Sequence, residues 1–464
     1  MKFISAPVLA GIIILVSGCA AVQQQAPPPD KVDNGPLVVA AEDSIPRVPA
    51  EIRYADFWIR KYADPDAVIL SPEGIDSYNR ENPARKGVML DILTMPDKSI
   101  GTKIRDYLAS NTRYLLNTKY FVTADIPLEM AERTSIASLV DTLGVPDLIT
   151  IKFGMILRNT MGKLWPTSIP LMSTPGDNEF DQGVVSTLDM GEPVALLHVS
   201  KDGLWSYVQS SSFGCWVPSE DVAFGDREKL KELTDTSMPV VAVGRSVSVF
   251  PTPESGSAVG SLRMGSYLPA RSAGNNYIEV LFPCRGTNGE LVSKRGYVRN
   301  GSDISLGFLP FTMRNIYQQL FRLYGSRYGW GGMYGGEDCS STIMDVFRCF
   351  NIHLPRNSAS QANASTQIIK FEGLDRPARF QALKTVPGGI TLLQMPGHIM
   401  VYLGEEGGKP YAIHNFWAWR EPKTDKIDIA HRAARVAVTD LLLGEGSQRG
   451  SFIDRLTNAT VIGK

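Results

Sequence analysis

YGSRYGWGGMYGGEDCSS, Tyr324 to Ser341, sets six glycines between Gly325 and Gly336 ahead of a cysteine flanked by small polar residues. Glycine is needed where backbone bends sharply or approaches another chain closely, so the run reads as a site that presents Cys339 as a nucleophile. The residues that follow, to Phe350, place Ile343, Val346, Phe347 and Phe350 along one face of an expected helix. Cys339 then opens that helix, where unpaired N–H groups and the macrodipole favour a thiolate.

A nucleophilic cysteine needs a base, and the chain has five histidines. His398 stands 59 residues beyond Cys339 at the head of HIMVYLG, and His414 lies 16 residues further on in YAIHNFW. Both stretches read as strands. A thiol on a helix facing imidazoles on adjacent strands is the arrangement for acyl transfer through a thioester, with His398 as base and His414 orienting its ring. The competing reading of each residue alone is structural: a lone cysteine at a helix start is commonly a small buried hydrophobe.

The joint pattern decides between them. Tyr328, Trp330, Gly331 and Gly332 precede Asp-Cys-Ser-Ser; LPRNSASQ follows from Leu354 to Gln361; GHIMVYLG begins at Gly397; AIHNF surrounds His414. Together these resemble the NlpC-type (NlpC/p-sixty) cell-wall cysteine peptidases, a permuted papain-like family, over about Gly307 to the C-terminus. The resemblance implies Cys339 as nucleophile, His398 as base, His414 as the third polar residue and Tyr328 as an aid to the oxyanion. It implies that Asp338, Ser340 and Ser358 hold the substrate's amino terminus. Asn357 stands where related recycling enzymes often carry aspartate, so one charged contact to the amine is missing.

The 464 residues divide charge almost evenly, 47 Lys and Arg against 48 Asp and Glu, which speaks against nucleic acid as a partner and for several packed domains. Residues 1–19 carry Lys2, an apolar run and Val16-Ser17-Gly18-Cys19. That is an export signal, and it resembles a lipobox whose Cys19 becomes lipidated. The implied location is extracytoplasmic and lipid-anchored, on the periplasmic face of the outer membrane if there are two membranes, because Ala20 follows rather than aspartate. An ordinary signal peptide is the alternative. Cys215, Cys284, Cys339 and Cys349 remain. An even count invites disulfides, but a bonded Cys339 could not attack.

In order, residues 20–50 read as a Pro/Gln-rich linker and 51–152 as a mainly helical N-terminal domain. The middle holds a diverged repeat: Thr174-Pro175 matches Thr252-Pro253, Leu188-x-Met190-Gly191 matches Leu262-x-Met264-Gly265, Trp205-x-Tyr-Val208 matches Tyr277-x-Glu-Val280, and Trp216-Val217 matches Tyr297-Val298. Short strands separated by turns suggest two small barrels, 153–230 and 231–306, resembling bacterial SH3-like domains. Residues 307–464 form the papain-like domain, so the expected class is multidomain α+β. Trp205, Tyr207, Trp216, Tyr277 and Tyr297 fit strand packing, and His198 a satisfied strand position. His353 and His431 show no evident partner. The histidines and cysteines lack the close spacing of a zinc site, and the chemistry needs no cofactor.

By resemblance the substrate is a peptidoglycan peptide, L-Ala-γ-D-Glu-diamino acid, cut before a residue such as meso-diaminopimelate. Two alternatives stand: an inactive wall-binding lipoprotein, and an amidase or acyltransferase on the same fold.

Overall fold

Ser71 and Pro72 form the helix start that their order suggests: the Ser71 side chain accepts from Gly74 N–H and Pro72 opens α1 (Pro72–Glu81). The computed structural model describes residues 37–39 and 45–463, apart from positions 83, 85–87, 124, 425 and 426. The export signal, Cys19 and most of the linker therefore lie outside the described residues. After α1 come α2 (Gly101–Asn117) and α3 (Met130–Val140), the latter begun by a capping box between Glu129 and Glu132.

The segment 51–152, expected as one helical domain, packs in two places. Ile52, Trp58, Ile59 and Ile75 join the core of the C-terminal sheet. Ile92, Ile104, Leu108, Val140 and Ile149 join that of the first middle sheet, beside Met155, Tyr207 and Trp216. Each helix buries one apolar face against a neighbouring sheet, and α2 and α3 also pack on one another there.

The first middle sheet comprises β1 (Lys152–Ile156), β2 (Thr160–Lys163), β3 (Val184–Leu188), β4 (Pro193–Val199), β5 (Trp205–Gln209), β6 (Gly214–Pro218) and β7 (Val222–Gly225), in the order β7-β1-β4-β5-β6-β2-β3. A short helix, α4 (Arg227–Leu233), leads to β8 (Pro239–Ala242), β9 (Ser246–Val249), β10 (Gly260–Arg263), β11 (Tyr267–Ala273), β12 (Tyr277–Arg285), β13 (Leu291–Arg299) and β14 (Ile304–Leu306).

These repeat the first order, β14-β8-β11-β12-β13, with β9 and β10 as a separate hairpin joined through Phe250 and Tyr297. The register repeats as well. Leu196 opposes Val208 and Ala270 opposes Val280, and in each pair the register shifts at the next step, before His198 and before Ser272. Gly191 and Gly265 both take positive φ and donate to the last residues of β1 and β8, Ile156 and Ala242. Barrel closure was expected, but among the described residues the ladders stay open, ending at β7 and β3 in the first sheet.

Helices packed on one sheet form the C-terminal unit. In α5 (Met313–Arg322) and α6 (Cys339–Arg348), apolar residues face inward, and Ile343, Val346, Phe347 and Phe350 are all buried as their spacing required. The sheet comprises β15 (Ile368–Lys370), β16 (Thr391–Met395), β17 (His398–Glu406), β18 (Lys409–Thr424), β19 (Ile427–Asp440) and β20 (Asn458–Val461). Their order is β19-β18-β17-β16-β20-β15, and strand Leu37–Val39 adds in parallel to β19.

Candidate active site

The glycine run works through the first middle sheet. Gly331 and Gly332 have φ of +60° and +98°, and a Cβ on either would overlap Val184 or Thr187 of β3. The close approach that glycine permits here is therefore to β3, where a bound chain was expected. Thr187 donates to Gly331 O at 3.3 Å, and Tyr334, itself at φ +58°, donates to Asn178 O at 2.6 Å.

Asp338 caps α6. Its Oδ1 accepts from Ser341 N–H at 2.9 Å, and the Ser341 hydroxyl oxygen accepts from Asp338 N–H at 2.8 Å. Arg356 adds a buried ion pair, Nη2 to Oδ2 at 2.5 Å and Nη1 to Oδ1 at 3.1 Å. Ser340 also donates to Oδ1, and Gly331 N–H reaches Oδ2. Both carboxylate oxygens are thus engaged within the protein. The same arginine donates to Ser340 Oγ at 2.9 Å. Asp338 and Ser340, expected to hold the substrate's amine, share this network, where a buried guanidinium and a helix terminus draw on the same negative charge.

Asn357 is likewise a cap, its side chain accepting from Ser360 N–H, and Ser358 opens the short helix Ser358–Gln361 at the border of burial. Tyr328 is buried in an aromatic cluster with Phe180 and Trp417, ring centroids 6.2 and 5.8 Å away. Cys339 packs at the edge of a different cluster, the main core.

The half-buried Cys339 starts α6, which packs on β17, the strand that His398 opens. His398 Nε2 lies 2.6 Å from His414 Nδ1, and His414 Nε2 lies 3.0 Å from the Thr439 hydroxyl. The rings of His398 and His414 are buried, and Phe416 stacks on His414 at 4.3 Å.

Burial pushes the Cys339 thiol up to about 12, Asp338 adds to the rise, and the N–H groups of Ile399 and Ser340 with Arg356 oppose it. The helix start was expected to favour thiolate; desolvation and the neighbouring carboxylate outweigh it. Burial draws His398 down to about 3, aided by Arg455. His414 is held well below its ordinary value by burial and by His398. Such a pair can pass a proton from sulfur to imidazole during attack, from an uncharged resting state.

Sequence reasoning missed Arg356, Thr439 and Asn415. Arg356 stood inside LPRNSASQ as a cation without an acidic neighbour, which was the available signal. Asn415 donates to Glu337 O and to Thr342, bracing the nucleophile loop against β18. His198 bonds the carbonyls of Val140 and Asp141 as a strand residue would. His431 has a partner after all, lying 3.0 Å from Glu421 and stacked on Trp419. Among the described residues, no disulfide joins Cys215, Cys284, Cys339 or Cys349.

Residues 325–415 match the NlpC/P60 family model, and residues 170–218 match an SH3 domain of the SH3b1 type. No curated protein matches the sequence. Among solved structures, the chain is similar to an NlpC/P60 endopeptidase from Photobacterium damselae subsp. piscicida, at 20% identity and a TM-score of 0.76, over 90% of this chain and 98% of that one. It also matches an NlpC/P60 family protein from Bacillus cereus ATCC 10987 at 16% identity and a TM-score of 0.46, over 67% of this chain and 100% of that one.

Proposed function

We propose, proceeding from an NlpC/P60 domain preceded by an SH3 domain, that this chain is a cysteine endopeptidase of peptidoglycan stem peptides. The domain matches support a cell-wall cysteine peptidase in general terms. The finer reading is cleavage between γ-D-glutamate and a diamino acid such as meso-diaminopimelate. The observation that carries the chemistry is the buried His398–His414 contact on strands β17 and β18, against which α6, the helix begun by Cys339, packs.

In the first step the Cys339 sulfur bonds to the γ-carbonyl carbon while its proton passes to His398. Backbone N–H groups at the start of α6, with Tyr328, stabilise the oxyanion. His398 then gives the proton to the departing amine, the C–N bond breaks, and water releases the acyl group. Arg455, close enough to act on His398 electrostatically, suits a peptide with a free carboxylate beside the scissile bond, as γ-linked glutamate has. The protein is anchored outside the cytoplasm by lipid on Cys19.

A panel of defined muropeptides analysed by mass spectrometry tests this reading. A new diaminopimelate amine is expected. A new lactyl end would make the protein an amidase, and absence of any product would make it a binding lipoprotein.

A further inference from the structure

Three adjacent strands carry a polar diagonal on one face of the C-terminal sheet. Val401 of β17 pairs with Ile413 of β18, and Tyr402 with Ala412, so His398 shares a face with residues 412, 414 and 416. On the other side Ala412 pairs with Thr439 of β19, and His414 pairs with Ala437. Thr439 is therefore the diagonal neighbour of His414. The residue directly opposite is a small alanine, which leaves the imidazole room to lean toward the hydroxyl. His414 and Thr439 are both buried, at 2% and 0% exposure, so each ring nitrogen of His414 depends on the partner the protein supplies.

A neutral imidazole has one N–H and one lone pair, so the 2.6 Å contact between the two rings has a direction. If His414 donates from Nδ1, His398 accepts at Nε2 and carries its own proton on Nδ1. It then has no lone pair left for the thiol. If His398 donates from Nε2, its Nδ1 is free as a base, and the proton of His414 must sit on Nε2. That proton needs an acceptor, and the Thr439 hydroxyl, which can accept as well as donate, lies 3.0 Å away.

We propose that Thr439 is a positioning residue that fixes the tautomer of His414 and, through it, makes His398 a base toward Cys339. The proposal rests on the functional reading only for its kinetic consequence; the tautomer itself is independent of substrate. When His398 takes the thiol proton, the same chain spreads the new positive charge, Nε2–H of His398 to His414 and Nε2–H of His414 to the hydroxyl. Removing the acceptor reverses the polarity of the inter-ring bond and lowers the proton affinity of His398.

The test compares wild type, Thr439→Val, which keeps the shape but not the oxygen, and Thr439→Ser, which keeps the oxygen. Multiple-bond ¹H–¹⁵N spectra of the imidazoles in a Cys339→Ala background report the tautomer. Wild type and Thr439→Ser should show His414 protonated at Nε2, and Thr439→Val at Nδ1. In the Cys339 proteins, kcat/KM on the muropeptide should fall about 10- to 100-fold in Thr439→Val, the size usual for a lost outer hydrogen-bond partner. KM should stay within about twofold, and Thr439→Ser should restore most of the rate. Iodoacetamide alkylation of Cys339 should slow in parallel. An unchanged His414 tautomer in Thr439→Val, or equal losses in the two variants, would overturn the proposal. If wild type itself hydrolyses nothing, the functional reading fails, while the spectra and the alkylation rates still decide the role of Thr439.

Discussion

With burial and Asp338 holding the Cys339 thiol protonated, and burial holding His398 neutral, the resting pair carries no charge. Catalysis then draws on proton transfer in the attack step and gains nothing from a standing thiolate. Cys339→Ala should abolish hydrolysis while leaving the fold intact, and activity at a tenth of wild type would remove Cys339 from the mechanism. His398→Ala should lose nearly as much, and His414→Gln less, since glutamine still bonds the ring; equal losses would mean that the two roles are exchanged. The acid limb of kcat/KM should lie well below pH 6.5, the ordinary histidine range. Alkylation of Cys339 should rise only above about pH 9, since its thiol is held above the free cysteine value. Stability follows the same sign. The folded value of His398 lies below the unfolded one, so its contribution is complete above about pH 6.5 and is lost as pH falls toward the folded value. Thermal melts of wild type against His398→Gln should therefore converge or cross on acidification; a constant difference from pH 7 to pH 4.5 would contradict the buried neutral ring. The meeting of His398 and His414 was legible because their motifs carry both residues. Thr439 was not, because a threonine within a strand becomes a partner only through the diagonal register of two other strands.

At the scale of single elements, the start of α6 joins three requirements: a cap, a nucleophile and a buried ion pair. Asp338 is held low by Arg356 and by the N–H groups of the helix start, against the opposing effect of burial. Replacing Arg356 by methionine leaves that carboxylate buried without its counter-ion, and the expected loss is roughly 3–5 kcal/mol in urea unfolding. Adding Asp338→Asn should return part of it, since asparagine still caps a helix and carries no charge. A double variant no more stable than Arg356→Met would mean that Arg356 acts by filling space. Helix starts and the apolar face of α6 could be read from spacing and capping residues alone. What covers each face could not, and residues 51–152 show why. Their periodicity marks apolar stripes, but Trp58 and Leu108 look alike in the sequence and end in different cores. The repeat was legible from paired short motifs, and its strand order recurs over five strands; closure was not, because it depends on whether the terminal strands meet.

Across the whole molecule, the first middle sheet is fastened to the catalytic unit beside the glycine run. Glu179 pairs with Arg327 at 2.9 Å and Arg432 at 3.0 Å, Phe180 packs among Tyr328, Trp330 and Trp417, and Ser186 accepts from Arg356 at 2.6 Å. The proposed anchoring belongs to this scale too. Cys19→Ser should release the protein from membranes, since several acyl chains on one residue hold a protein that a single chain retains only marginally. Pelleting of that form would assign retention to another surface. The fastened sheet also bears on substrate length. The expectation at this scale is that residues 179–187, which meet the glycine run, close one end of the groove and admit a peptide that begins near the γ-glutamyl bond, whereas glycan-linked stems continue past that point. Asp338 is engaged by Arg356, so the expected selection is by closure more than by charge pairing. Wild type should prefer L-Ala-γ-D-Glu-diaminopimelate over the same peptide acetylated on its alanine by roughly tenfold or more. Phe180→Ala, which removes the aromatic anchor without touching Cys339, should bring the two rates together, while Asp338→Asn should lower both rates and keep their ratio. A ratio that collapses in Asp338→Asn and survives in Phe180→Ala would return the selection to charge pairing with the amine.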